Sequence, residues 1–589
     1  MPEPAGAWGL FASLRRSKRV PALQKNLIGE LLLHAGAVTQ VQLDQGLARQ
    51  KTTGKRLGQT LMELGFVTEA EMLSALESQL GMEYIHLEDE EIQPSAVSKL
   101  PANFAQRHSL IPIREDNGTL VLAVSDPLNI QAVDEARLLL GRDVSVVIAS
   151  QREIDKAINQ HYGVGAETVE QMVRDSGEAL DLSALEAEEG VDLESMAADA
   201  SIVRFVNQVI LEGFHRRGTD IHIEPFEDVL RIRYRVDGVL QEASTPATLK
   251  HFQAAIVSRV KIMADMNIAE KRRPQDGRVK VRIQDEDIDL RVSIIPTLHG
   301  ESVNIRILST KSLTLEELGL EPRDFKTISE LVQRPHGIVL LTGPTGCGKT
   351  TTLYSALSRI NSAELKIITV ENPIEYQLAG VSQIQVNPRI DVTFANGLRS
   401  ILRHDPDVIM IGEIRDMETA EIAIRAALTG HLVFSTLHTN DAASGVTRLL
   451  DMGVQPFLVS SSVEALIAQR LVRRICPHCV AEYEPDAEYL DEIGFPRPEG
   501  GVVRLPRGSG CDECRGTGFM GREAIYEILL VAEPIRQLVL EHASASQIKR
   551  KALELGMLTL RDAGWEKVLQ GKTTIEEVLR VAEEDEFLE

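Results

Sequence analysis

The residues Gly343-Pro344-Thr345-Gly346-Cys347-Gly348-Lys349-Thr350, with Thr351 directly behind them, hold the G-x-x-x-x-G-K-T spacing of a phosphate-binding loop. An apolar run, Ile338-Val-Leu-Leu341, precedes the loop and a helix-competent segment follows it, the context such a loop requires. The glycines let the backbone curl so that successive N–H groups face phosphate oxygens. Lys349 brings a point charge to the β- and γ-phosphates, and Thr350 brings a hydroxyl to Mg2+. This is chemistry for holding a nucleoside triphosphate.

Two further segments bring carboxylates. Lys366-Ile-Ile-Thr-Val-Glu371-Asn-Pro-Ile-Glu375 and Asp405-Pro-Asp-Val-Ile-Met-Ile-Gly-Glu413-Ile-Arg-Asp416 each read as an apolar strand with acid at its exit. Open α/β sheets bind ligands at strand exits, so Glu371 and Glu413 are candidates for the metal and the attacking water. A third apolar strand, Leu432-Val-Phe-Ser-Thr, delivers His438 where it can contact a γ-phosphate. The plain alternative for a lone histidine is a structural role.

Cys476-Pro-His-Cys479 and Cys511-Asp-Glu-Cys514 repeat a C-x-x-C pair with 31 residues between them. Four thiolates give the tetrahedral sulfur set that Zn2+ favours, and with no open coordination position the metal would be structural. The gap is long for a zinc ribbon, but closing a longer loop costs little more. Cys347 is the fifth cysteine and lies inside the phosphate loop. It either offers an oxidation site that would block nucleotide or fills a variable loop position.

Arginines cluster in a strand-rich segment. Alternation in Leu230-Arg-Ile-Arg-Tyr-Arg-Val places Arg231, Arg233 and Arg235 on one strand face. Arg233, Arg235, Arg278 and Arg291 are candidates to stabilise charge on a transferred phosphoryl group. The plain alternative is a solvated or salt-bridged basic face, and the sequence does not rank the four.

The elements around these motifs divide the 589 residues into several domains. A basic tail (1–25) carries Trp8, Phe11 and Arg15–Arg19, either as a tail or as a short membrane-surface contact. Two 24-residue units follow within 26–83: Leu27–Gln50 aligns with Arg56–Gln79 without a gap. Each fits two short helices, with Thr39 or Thr68 capping the second. Residues 84–162 alternate strands (Ser109–Arg114, Leu120–Val124) with helices (Ile130–Leu140, Gln151–His161). The stretch 163–200 has eleven acidic residues against one basic, net −10 of the chain's −24, and reads as a flexible linker. A mixed α/β domain (201–312), a parallel α/β core (313–475), a cysteine module (476–530) and a helical tail (531–589) complete the chain. The acidic balance, and the lack of a basic stretch interleaved with aromatics, argue against nucleic acid as a partner. No apolar run approaches membrane-spanning length and no export signal is legible, which predicts a cytoplasmic protein without disulfides.

Gly343–Thr350, Val370-Glu-Asn-Pro-Ile-Glu-Tyr376, Asp405–Asp416 and Thr429-Gly-His-Leu-Val-Phe-Ser-Thr-Leu-His-Thr-Asn440 resemble the Walker A, Asp-box, Walker B and His-box motifs of the secretion ATPase superfamily. That superfamily serves type II secretion and type IV pili, and the resemblance runs from about Ser201 to the C-terminus and, less sharply, through the N-terminal region. It implies a RecA-like ATP-hydrolysing core beside a mixed, PAS-like α/β domain, a tetracysteine zinc module and a helical tail. It makes Glu371 the general base, Glu413 the holder of Mg2+ through water, and His438 the sensor of the γ-phosphate. The family's Asp box usually reads Glu-Asp-Pro, whereas Asn372 follows Glu371 here and removes one charge.

The second repeat also resembles one unit of the tandem cyclic di-GMP-binding motif of some of these ATPases, through Arg56, Leu57, Gly58 and Gln79. The first keeps Gly29 and Gln50 but has Leu27 where the motif has arginine. Nucleotide binding and a plain docking module both remain open. The expected function is a homo-hexameric motor driving pseudopilus assembly. It would be peripheral to the inner membrane and reach the secretion platform proteins through its N-terminal region. A type IV pilus extension motor, a nucleic-acid translocase and a non-hydrolysing scaffold are the alternatives.

Overall fold

The computed structural model describes residues 28–582, apart from 163–167, 170–171, 173–198, 309–312, 497–502 and the single positions 88, 98, 117 and 285. Leu27, the basic tail and most of the acidic stretch therefore lie outside the described residues.

The repeated units fold as helix pairs: α1 (Ile28–His34) with α2 (Gln40–Thr53), and α3 (Leu57–Glu63) with α4 (Glu69–Leu80). Thr39 and Thr68 cap α2 and α4 in complete capping boxes with Gln42 and Glu71. Leu32, Leu61, Val67 and Met72 form the small core between the pairs. In the next domain β1 (Leu110–Asp116) pairs antiparallel with β2 (Thr119–Val124), which pairs parallel with β3 (Val144–Ile148). β3 escapes the sequence reading because the exposed Ser145 interrupts its short apolar run.

The arginine-bearing segment forms one six-stranded antiparallel sheet. Its strands are β4 (Gly218–Pro225), β5 (Leu230–Val236), β6 (Val239–Ala243), β7 (Gln275–Ile283), β8 (Glu286–Thr297) and β9 (Gly300–Leu308), in the order β6-β5-β4-β9-β8-β7. Helices Ala200–His215 and Gln253–Met263 bury Phe205, Val209, Ile256 and Val260 in one core with Ile221, Ile232 and Leu290. Val169 and Met172, from the acidic stretch, are buried in that same core.

The core sheet uses β10 (Gly337–Thr342), β11 (Ile367–Glu371), β12 (Ser382–Gln385), β13 (Val408–Ile411), β14 (Leu432–Leu437) and β15 (Val463–Ile475). β16 (Val480–Tyr483) and β17 (Leu505–Gly508) form a separate two-stranded ribbon, after which β18 (Phe519–Leu530) completes the sheet in the order β12-β11-β13-β14-β10-β15-β18. All neighbours are parallel except β15 and β18. β10, β11, β13 and β14 are buried along their whole length, which is why they read as continuous apolar runs rather than as alternation.

The span 476–530 is not the single cysteine module that its sequence predicts: Phe519–Leu530 runs antiparallel to β15 and buries Ile525, Tyr526 and Leu529 in the core. The cysteine segment is an excursion between two neighbouring strands. Four C-terminal helices between Glu533 and Val581 add Ile535, Val539, Trp565 and Val568 to the same core. Among the described residues no helix is long and apolar enough to cross a membrane.

Candidate functional site

From Thr342 the chain turns through Gly343–Gly348 into the helix Lys349–Ile360. Gly348 needs to be glycine on two counts: its φ is 92°, and a Cβ there would meet Gln469 Nε2 at 2.8 Å. Pro344, Thr345 and Gly346 are exposed, while Thr350 and Thr351 are half-buried. The Lys349 ammonium donates to the carbonyls of Gly343 (2.6 Å) and Pro344 (3.0 Å) and lies 3.9 Å from Cys347 Sγ. Burial pushes its pKa below the usual lysine value; Cys347 and Glu413 offset part of this, and Arg470 adds to it. Arg470 sits on β15, its Nη1 3.1 Å from where a Cβ on Gly343 would stand. The motif reading missed this cation beside the loop because it arrives from a distant strand.

Strand order sets the rest. β14 lies between the loop strand β10 and the acidic strand β13, so His438 emerges between the loop and Glu413. His438 Nε2 is 3.1 Å from Glu413 Oε2, and the Arg415 guanidinium is 2.5 Å from Glu413 Oε1. Glu413 is nearly buried while His438 is half-exposed.

Glu371, at the exit of β11, is 3% exposed. Its carboxylate accepts from Thr369 Oγ1 (2.5 Å), Gln383 Nε2 (3.1 Å) and the Tyr354 hydroxyl. A carboxylate offers about four acceptor positions, so three donors leave one for a further hydrogen. Burial and the adjacent carboxylate push the Tyr354 phenol far above its usual range, keeping it a donor. A Cβ on Gly412 would meet the Glu371 Cα at 3.4 Å, so the two acidic strand exits abut. Asn372 is exposed and joined to Pro373 by a cis peptide bond. Tyr354, Thr369 and Gln383 were not singled out from sequence, since Tyr354 and Gln383 reach Glu371 only through helix packing and strand order.

The four candidate arginines separate. Arg233 is held by Glu224 through Nε (2.7 Å) and Nη2 (2.8 Å), within its own sheet. Arg235 donates to the Gly238 carbonyl at 3.0 Å. Arg278 is exposed, directly opposite Arg291 in the β7–β8 pairing. Arg291 alone of the four contacts the ATPase core among the described residues: it pairs with Glu375 at 2.9 Å and donates to the Ile374 carbonyl. Burial lowers its pKa from the usual arginine value, with Glu375 opposing.

The four paired cysteines meet. Cys476–Cys511 and Cys479–Cys514 sulfurs are 3.8 Å apart, Cys511–Cys514 are 3.7 Å apart, and all four lie within 4.8 Å of one another. A tetrahedron with Zn–S bonds of about 2.3 Å has edges of about 3.8 Å, so the donor set fits zinc in both chemistry and size. Burial pushes the Cys476 thiol up to about 12. Cys514 is also raised by burial, but the backbone N–H groups of Cys511 and Gly518 outweigh this and hold it at about 6.

In the helical repeats the glycines of the nucleotide motif are packing residues. A Cβ on Gly29 would meet Leu43 at 2.8 Å, and one on Gly58 would meet the Met72 sulfur at 2.8 Å. Leu57 packs beside Gly29, while Gln50 and Gln79 are half-buried on their helices. Arg56, exposed before α3, pairs with Asp126 of the next domain at 2.7 Å.

The phosphate loop, the paired acidic strand exits and the RecA-like sheet define a P-loop ATPase core. The chain belongs to the type II/IV secretion system protein family, whose model matches residues 195–580. An MshEN domain matches residues 80–168, beginning where the helical repeats end. The chain is 41% identical over 564 residues to the type IV pilus assembly ATPase PilB of Myxococcus xanthus, covering 95% of this chain and 99% of that one. It is 42% identical over 568 residues to the type II secretion system protein E of Xanthomonas campestris, covering 95% and 98%. The X-ray structure of the Yersinia pseudotuberculosis ATPase DotB is similar at 22% identity and a TM-score of 0.49, covering 64% of this chain and 93% of that one.

Proposed function

We propose that this chain hydrolyses ATP as a hexameric motor that powers type II protein secretion by driving pseudopilus assembly at the inner membrane. The observation that carries the reading is the approach of Glu413 and His438 to each other, 3.1 Å apart, beside the buried Lys349 of the phosphate loop. Lys349 holds the β- and γ-phosphates, Thr350 and Glu413 hold Mg2+ (the latter through water), and His438 reads the γ-phosphate. Mg2+ supplies charge neutralisation across the phosphates. Glu371 takes the proton of the attacking water at the acceptor position its three donors leave open. Arg291, docked on the segment after Glu371, makes the site depend on closure of the antiparallel-sheet domain.

Zinc is proposed as the structural ion of Cys476, Cys479, Cys511 and Cys514, on the strength of their tetrahedral spacing. The N-terminal region is proposed to contact the platform proteins of the inner membrane. For the repeats a docking role is favoured over cyclic di-GMP binding, because Leu27 removes one arginine and Arg56 is already engaged by Asp126.

The pilus-extension reading is the specific rival, since a relative named for pilus assembly matches over a comparable length. A strain in which this chain is replaced by its Lys349→Ala variant separates the two. Lost protein export with surface pili retained supports the secretion motor, and the reverse outcome supports the pilus motor.

A further inference from the structure

The Cys511–Cys514 knuckle and the residue that follows it touch two other domains. Asp512 and Glu513 lie inside the Cys511–Cys514 knuckle, facing the helix Gln151–Tyr162 of the N-terminal α/β domain. Asp512 Oδ2 is 2.9 Å from Arg152 Nε, Asp512 Oδ1 is 2.8 Å from Lys156 Nζ, and Glu513 is 3.6 Å from Arg152 Nη2. Arg152 and Lys156 stand four positions apart, so one face of that helix presents both cations. Immediately after the knuckle, Arg515 reaches Glu212 of the antiparallel-sheet domain at 3.2 Å, and the same carboxylate oxygen takes Arg216 at 2.6 Å.

These contacts are polar and partly exposed, with Arg152 at 61% and Lys156 at 48% side-chain exposure. Exposed pairs of this kind are individually weak and are screened by salt. A cavity of about 360 Å3 lies beside the knuckle, lined by Arg217, Asp237, Arg473, Cys514 and Phe519 among others. Four thiolates around a divalent ion also carry a net charge of about −2, which adds to Asp512 and Glu513 in attracting Arg152 and Lys156.

We propose that this knuckle is an electrostatic latch. It holds the N-terminal domain against the motor through Arg152 and Lys156, and metal loading tightens it. The metal half rests on the zinc reading above; the ion-pair half does not.

Carbodiimide, a zero-length reagent that joins an amine to a carboxylate in contact, tests the latch on the full chain, with zinc content measured in parallel. At low salt the zinc-loaded protein should give a 156–512 link, and its yield should fall about tenfold or more near ~1 M salt. Lys156→Asp or Asp512→Lys alone should lose the link, and the two together should regain it with amine and carboxylate exchanged. Chelation should lower the yield in step with the metal released. Bound zinc with no such link at low salt, or a double exchange that fails to regain it, overturns the latch. A link that forms in the same yield with no metal bound, or survives chelation undiminished, overturns metal tightening while leaving the ion pairs standing.

Discussion

Tyr354, on the helix that follows the phosphate loop, donates its hydroxyl hydrogen to Glu371 at the exit of the neighbouring acidic strand. The same oxygen lies within 3.3 Å of Gln383 Nε2 and 3.4 Å of the Glu375 backbone N–H. Arg291 of the antiparallel-sheet domain pairs with that Glu375. The loop helix, the proposed base and the neighbouring domain are thus tied through one phenol.

Tyr354→Phe keeps the ring but removes the hydrogen that aims Glu371. Steady-state hydrolysis should show kcat lowered about 10–100-fold with KM for ATP little changed, the signature of a misplaced group rather than lost binding. An unchanged kcat would take Tyr354 out of the positioning network.

The arginines should divide by what they touch. Arg291→Ala should lower kcat, because it uncouples domain closure from the segment after Glu371. Arg233→Ala removes only the pairing with Glu224 within its own sheet, so it should cost about 1 kcal/mol of stability or less and leave turnover near normal. Thermal unfolding and kinetics on both variants check the division, and equal kinetic loss in the two would refute it.

A closed ring should be required for turnover, because the site draws groups from separate domains. Hydrolysis per chain should rise with protein concentration, tracking hexamer formation in sedimentation. Full activity of monomer at high dilution would contradict this.

Purified protein should hold about one zinc per chain, and Cys476→Ser or Cys511→Ser should lower folded yield ahead of any specific kinetic effect, since a closed tetrathiolate contributes folding free energy. Substoichiometric metal in a fully folded module would rule the assignment out.

Calorimetry decides the role of the repeats. A flat titration with cyclic di-GMP fits docking alone. Saturable binding that Arg56→Ala weakens strongly would overturn that preference. Gly58→Ala is the control for packing: the added methyl meets only the flexible end of the Met72 side chain and gains helix propensity, so stability should shift by no more than about 1 kcal/mol whichever role holds.

What the sequence made legible was local. The phosphate loop, the strand exits bearing Glu371, Glu413 and His438, and the capping threonines of the repeats each occupy a few adjacent residues whose types carry their own physics. The contacts that aim the site were not legible. Tyr354, Gln383 and Glu371 meet only because β11 lies between β12 and β13 and the loop helix packs nearby. The four arginines looked alike because alternation gives a face and no partner; only the β4–β5 register sets Glu224 against Arg231 and beside Arg233. β18 was assigned to the cysteine module because its pairing with β15 spans an excursion of more than forty residues, beyond the reach of periodicity.

The central claim is that Lys349 and Glu371 do separable work at one ATP site. The most direct measurement pairs equilibrium ATP binding with single-turnover hydrolysis in Glu371→Gln and Lys349→Ala. Glu371→Gln should retain ATP while turnover falls at least about 100-fold, the scale of a lost general base. Lys349→Ala should lose hydrolysis along with its hold on the phosphates. Wild-type hydrolysis by Glu371→Gln would remove Glu371 from the chemistry and contradict the account.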